Sequence, residues 1–148
     1  MGQNEIREEL VKMLNNALEL EHAAAIQYLA HAELIKGLCS EKIIERLKEI
    51  ASDEIKHADK FRNLIGNYLY AEPSMGVSER HEARETNQIL EVNLKDEKVA
   101  IDLYKKIYRK IIDNKDALQD IFETLEHEVR HIIVGEQEHV SELTTLLG

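Results

Sequence analysis

The sequence predicts an all-α protein: four long amphipathic helices packed as a bundle in up-down-down-up order, with a long crossover between the second and third. Three observations carry this. Apolar residues recur at steps of three and four over four long stretches, the spacing of one helix face. Breakers are scarce, with 6 glycines and 1 proline in 148 residues, and aromatics make up only 5%, a balance that favours helix over sheet. The breaks that do occur form two short turns and one longer segment, the punctuation of two helical hairpins joined by a connection.

The first helix is expected from about Asn4 to Lys36, on a stripe of Ile6, Leu10, Met13, Leu14, Ala17, Ala24, Ala25, Tyr28 and Ala32. Gly37 is its stop, and Ser40 followed by Glu41 starts the second helix. That helix reaches Leu69 with Leu47, Ile50, Phe61, Leu64 and Tyr68 inward. Tyr70 to Ser78, which holds Pro73, Gly76 and two serines, reads as the crossover. The third helix is expected over Glu79 to Asp113, its seam running through Leu90, Leu94, Ala100 or Ile101, Tyr104, Tyr108 and Ile111. After a turn at Asp113-Asn114-Lys115-Asp116, the fourth occupies residues 116–147 on Leu118, Phe122, Leu125, Val129, Ile132, Leu143 and Leu146. If the third helix lies level with the second, the chain must climb roughly 40 Å between them at 1.5 Å per helical residue. About 12 nearly extended residues cover that distance. The whole chain, 1–148, reads as one domain.

Charge and composition narrow the function. A formal charge of −10 argues against a nucleic-acid or anionic-membrane surface and suits attraction of cations. No apolar run approaches the roughly 20 residues of a membrane span. The opening MGQNEIREEL lacks the apolar core of a signal peptide, so a cytoplasmic protein is expected. The single cysteine, Cys39, excludes an internal disulfide, a four-cysteine zinc site and a rubredoxin-like module.

Six polar residues interrupt the apolar seams: Glu21 in the first helix, Glu54 and His57 in the second, Glu97 in the third, and Glu136 and His139 in the fourth. On the second helix, Leu47, Ile50, Glu54, His57, Phe61, Leu64 and Tyr68 step by threes and fours without a miss, so all seven share one face. An isolated buried carboxylate costs several kcal/mol or changes its protonation state. Four carboxylates and two imidazoles facing one another are instead the donor set for two divalent first-row metals, iron foremost and manganese next. Four ionised glutamates balance two +2 ions. Glu54 and Glu136 are placed to bridge; Glu21 with His57 and Glu97 with His139 would cap one ion each. Tyr28 and Tyr104 follow Glu21 and Glu97 by seven residues on the same faces and are expected to hydrogen-bond the carboxylates, with Asp53 orienting a histidine. The matching spacings make the two hairpins copies of one unit.

Glu-x-x-His occurs four times, at Glu19/His22, Glu54/His57, Glu128/His131 and Glu136/His139. Glu19/His22 falls off the apolar stripe and is expected on the surface. Reflecting the third helix about Asn114 favours Glu128/His131 as the fourth helix's ligand pair; the seam favours Glu136/His139, and the seam is weighted more heavily. His31 and His127 are expected at the surface or a helix end, and Cys39 as an unpaired spectator.

At these residues, in the strings Glu21…Gln27-Tyr28, Asp53-Glu54-Ile55-Lys56-His57-Ala58-Asp59 and Glu136-Gln137-Glu138-His139-Val140, the sequence resembles the ferritin-like superfamily, closest to bacterioferritins and the bundle domain of rubrerythrins. The resemblance covers nearly the whole chain. It implies a ferritin-like four-helix bundle with a di-iron centre that oxidises Fe(II) with O2 or H2O2, in iron storage or peroxide removal. Three departures matter. Ile55 stands where the bacterioferritin haem ligand is methionine, so no haem is expected. Leu94 and Ala100 flank Glu97 where rubrerythrins carry a further glutamate, which favours a six-ligand site. Gly135 replaces the acidic residue often found before the last ligand glutamate. The leading expectation is a ferroxidase, with a rubrerythrin-like peroxide reductase on the same centre as the alternative. A metal-storage or metal-binding module without turnover is the reading from another class. Fe(II) and O2 or H2O2 are the expected partners, with a second copy of the chain in a dimer or larger homo-oligomer.

Overall fold

The computed structural model describes residues 2–148. It contains α1 (Gln3–Ala32), α2 (Ser40–Asn63), which runs on into a π-helical turn at Leu64–Tyr68, α3 (Thr86–Asp113) and α4 (Phe122–Leu147). α1 pairs with α2 and α3 with α4, while α1 also lies along α3. The result is the expected four-helix bundle in up-down-down-up order, with no strand among the described residues.

Two apolar cores fill the bundle. One collects Leu10, Leu14, Leu18, Phe61, Ile107 and Val129; the other collects Tyr28, Ile43, Leu47, Ile50, Ile89 and Leu143. Along every helix the six polar seam residues fall between the stretches that feed these two cores. The site is therefore a polar layer held between two blocks of close-packed hydrocarbon, which fix the helix spacing on both sides.

Three boundaries differ from expectation. α1 stops at Ala32 rather than Lys36, because the Lys36 backbone bonds elsewhere: its N–H donates to Thr86 Oγ1 at 3.3 Å, and its carbonyl accepts from that hydroxyl at 3.1 Å. Gly37, at φ +97°, then turns the chain. α3 begins at Thr86, not Glu79. The run Glu79 to Glu85 favours helix by propensity, but it stays extended as part of the return path. That path climbs α1 rung by rung. Ser74 N–H donates to Asn15 Oδ1 at 2.8 Å, Ser78 N–H to the Glu19 carbonyl at 3.1 Å, and His81 N–H to Gln27 Oε1 at 2.7 Å. From Asn15 to Lys36 the climb is roughly 30 Å, and helix would be too short per residue to make it. α4 begins at Phe122, not at 116. Residues 114–121 form successive turns, with Ile121 N–H donating to the Leu118 carbonyl at 2.9 Å, and these turns drive Leu118, fully buried, into the end of the bundle.

The π turn is closed by Leu69 N–H to the Leu64 carbonyl at 3.0 Å, and Leu64 and Ile65 within it are both fully buried.

Candidate metal centre

Each helix contributes to the polar layer. Glu21, Glu54, Glu97, Glu136 and His139 are at most 2% exposed, and the His57 side chain is 12% exposed. They form two overlapping sets, Glu21, Glu54, His57 and Glu136, and Glu54, Glu97, Glu136 and His139; within each set one ligand atom per residue lies within 4.8 Å of the others. Glu54 and Glu136 belong to both sets, the arrangement two bridging carboxylates require. Each imidazole turns Nδ1 inward. His57 Nδ1 lies 2.6 Å from Glu136 Oε1, 3.2 Å from Glu54 Oε1 and 3.7 Å from Glu21 Oε1. His139 Nδ1 lies 3.0 Å from Glu97 Oε2, 3.4 Å from Glu54 Oε1 and 3.8 Å from Glu136 Oε2.

The electrostatics are those of an over-crowded acidic cluster. Burial, then the Glu136 charge, pushes the Glu21 carboxyl from 4.5 up to about 7. Burial and the neighbouring carboxylates push Glu54 and Glu97 well above the usual range. Burial works against ionisation of Glu136 as well, but hydrogen bonds from His139 and His57 outweigh it and hold that carboxyl well below its ordinary value. Burial likewise opposes charge on the imidazoles; hydrogen bonds to Glu136 prevail and raise His57 to about 10 and His139 to about 11. Protons thus do here what cations would do, neutralising carboxylates that cannot all ionise together in a low-dielectric layer. Even so, Glu21 Oε2, Glu54 Oε1 and Glu136 Oε2 are buried without a hydrogen-bond partner. Buried oxygens are rarely left so unless something other than a protein donor satisfies them.

The surrounding residues divide as follows. Tyr104 donates to Glu21 Oε1 at 2.6 Å, and Asp53 Oδ2 lies 2.9 Å from His139 Nε2, both as expected. Tyr28 differs: its hydroxyl is buried without a hydrogen-bond partner, and burial with the nearby Glu97 charge raises its ionisation well above normal. Glu128 and His131 face outward, Glu128 pairing with Lys60 at 2.8 Å and His131 stacking on His127 at 4.2 Å between ring centroids. The turns at 114–121 supply the extra residues that put Glu136/His139, not Glu128/His131, level with Glu97. Glu19 and His22 clasp the crossover, through the Ser74 hydroxyl and through the Gly76 carbonyl at 2.7 Å.

His31 lies in the last turn of α1, the helix-end placement expected for it, yet it is buried: it is 4% exposed, and its Nδ1 meets Asn93 Nδ2 at 2.9 Å. Asn93 in turn accepts from Gln27 Nε2 at 2.9 Å. This buried chain between α1 and α3 went unseen, although Asn93 stands one turn before Glu97 on the same seam. A cavity of about 230 Å³ opens beside it, running between α1 and α3 from Tyr28, Glu54 and Glu97 toward His81 and Asp96 at the outer end.

Comparison with known proteins gives a consistent picture. The family model described as ferritin-like domain matches residues 11–148. Among solved structures, a ferritin-like diiron-carboxylate protein from Bacillus anthracis is 23% identical, with 97% of this chain and 98% of that one covered at a TM-score of 0.87. Rhodobacter capsulatus bacterioferritin, with a metal-free dinuclear site and a haem iron, is 25% identical over 95% of this chain and 84% of that one, at a TM-score of 0.78. Desulfovibrio desulfuricans bacterioferritin, described with its diiron site in different catalytic states, is 22% identical over 99% and 82%, at 0.81. No curated protein matches the sequence.

Proposed function

The chain belongs to the ferritin-like domain family, and from that premise we propose that it is a di-iron carboxylate protein that oxidises Fe(II) with O2 or H2O2. The observation that carries the reading is the pair of overlapping four-residue clusters sharing Glu54 and Glu136. The donor set fits the metal: carboxylate oxygens and imidazole nitrogens suit divalent iron, with manganese the nearest competitor, and the three orphaned carboxylate oxygens are the atoms two cations would satisfy. Two bound irons would supply one-electron steps from each ion to an oxidant. A haem is not part of the proposal, because Ile55 is a half-exposed hydrocarbon side chain with no lone pair to offer.

The chain's own residues do the rest. Glu54 and Glu136, shared by both clusters, would hold both ions, while Glu21 with His57 and Glu97 with His139 would each hold one. To hold cations these carboxyls and imidazoles would have to give up their protons, so binding would strengthen as pH rises. Tyr104 orients Glu21, and Asp53 orients His139. The cavity between α1 and α3 has room for O2 or H2O2 and ends at Glu54 and Glu97. Among the described residues no helix is long and apolar enough to cross a membrane. Self-association to a dimer or larger assembly is part of the proposal, and Ile26, Leu29 and Leu34 leave apolar surface exposed on and just beyond α1.

The test is stopped-flow oxidation of two Fe(II) per chain. The wild type should oxidise them rapidly and Glu54→Ala should abolish the fast phase; unchanged kinetics in the variant would remove Glu54 from the centre. A preference for H2O2 over O2 with turnover by an added reductant would point to the peroxide reductase, and binding without oxidation to the storage module.

A further inference from the structure

The two halves of the cluster repeat one another, and the repeat is broken at one position. On α2 the ligand pair follows Asp53; on α4 the equivalent place is Gly135. Asp53 does not support its own helix's histidine. It reaches across to His139 of α4, and its Oδ2 meets the outward Nε2 at 2.9 Å. The reciprocal contact, from α4 to His57 of α2, has no side chain to make it. A Cβ built on Gly135 would stand 2.9 Å from His57 Nε2 and 3.0 Å from its Cε1, so the His57 ring occupies the space a side chain would fill. The two rings differ in exposure as well, 12% for His57 and 2% for His139.

A carboxylate on the outer nitrogen of a ligating histidine fixes its tautomer and orientation and raises its basicity; losing such a partner typically weakens metal binding about 10- to 100-fold. Tyr104 does not offset this on the His57 side, because by donating to Glu21 Oε1 it withdraws charge from a carboxylate that faces the metal. Glu54 and Glu136 serve both positions and cannot distinguish them.

We propose that the two metal positions are unequal: the ion held by Glu97 and His139 is retained, and the ion held by Glu21 and His57 exchanges with solution beside Gly135. The inference rests on the dinuclear reading and deepens it. One position is a lasting cofactor, and the other is where substrate Fe(II) enters and leaves.

Anaerobic titration with Co(II), read by its visible absorption and by calorimetry, tests this without turnover. The wild type should bind in two steps whose dissociation constants differ at least tenfold. His57→Ala should remove the weaker step and His139→Ala the tighter one. Asp53→Asn should weaken the tighter step about 10- to 100-fold, so that the two merge. Because Asp53 is partly exposed and the change keeps its shape, this variant decides the matter alone if either histidine variant fails to fold by circular dichroism. A zinc chase should release one Co(II) quickly and one slowly. Two equal steps in the wild type, loss of the tighter step in His57→Ala, or indifference to Asp53→Asn would overturn the proposal. Absence of Co(II) binding, or binding untouched by both histidine variants, would instead overturn the dinuclear reading beneath it.

Discussion

Stripping the metals should leave a protein that loses stability as the pH rises from 5 to 8, against the common expectation of greatest stability near neutrality. The sign follows from the direction of each shift. Glu21 is held at about 7 in the fold against 4.5 when free. A carboxyl raised on folding stabilises fully below its unfolded value, and that contribution is lost as pH climbs to the folded one. The window is therefore about 4.5 to 7. At 1.36 kcal/mol per pH unit it is worth about 3 kcal/mol for this fully buried group, or about 6–12 °C in Tm for a chain of this size. His57, raised from 6.5 to about 10, acts in the same sense over a higher window: its contribution is complete below 6.5 and fades above. Glu136 runs the other way, since its carboxyl is depressed, but what it contributes is lost only below about 4.5, outside the range.

Thermal unfolding by circular dichroism with chelator present, at pH 5, 6, 7 and 8, measures the slope. Glu54 and Glu97, raised well above their ordinary value, act in the same sense. Glu21→Gln isolates one share of the slope, because the amide cannot titrate and the general self-repulsion of a −10 chain is nearly unchanged; its slope should flatten by roughly the Glu21 share. Adding Fe(II) or Mn(II) anaerobically should reverse the trend. Ligands must be deprotonated to bind, so metal stabilisation grows with pH just where the metal-free fold weakens. A metal-free Tm that is flat or rising from pH 5 to 8, or a slope identical in Glu21→Gln, would refute the reasoning.

Two further outcomes follow from the same geometry. Tyr104→Phe removes the 2.6 Å donor to Glu21 Oε1 beside an oxygen that already lacks one, and should cost about 1–3 kcal/mol in the metal-free protein but less with metal bound, by urea unfolding in each state. Glu128→Ala combined with His131→Ala removes the outward-facing pair on α4 and should leave iron stoichiometry and oxidation unchanged, with a stability change under about 1 kcal/mol from the lost Lys60 pair; a drop in bound iron would show the α4 ligands to be misassigned.

The seam argument found the pair that is buried on α4 where a distance argument pointed to the outward one, and the reason is energetic. A charged group at an apolar position must be neutralised or paired wherever the loops lie, so Glu136 and His139 stood out from their own helix's periodicity alone. Reflection about Asn114 assumed a tight turn, and that assumption failed on one residue. Leu118 has ordinary helix propensity, but the bundle's end needs an apolar plug, and burying that side chain outweighs continuing a helix through 114–121. The stretch 79–85 went wrong in the same way: its local preference is helical, yet the rungs from α1 to Ser78 and His81 hold the chain extended across a gap that helix cannot span. Both errors concern where helices begin, which tertiary contacts decide. The missed chain from Gln27 through Asn93 to His31 is of another kind. Each member, taken singly, is a polar residue that a surface position would explain equally well. Only a partner 62 or 66 residues away makes its burial affordable, and nothing in the local sequence of α1 announces which residue of α3 will face it. The six acidic and imidazole residues were legible because they are too many and too charged to satisfy one another; the amide chain was hidden because its members satisfy one another so well.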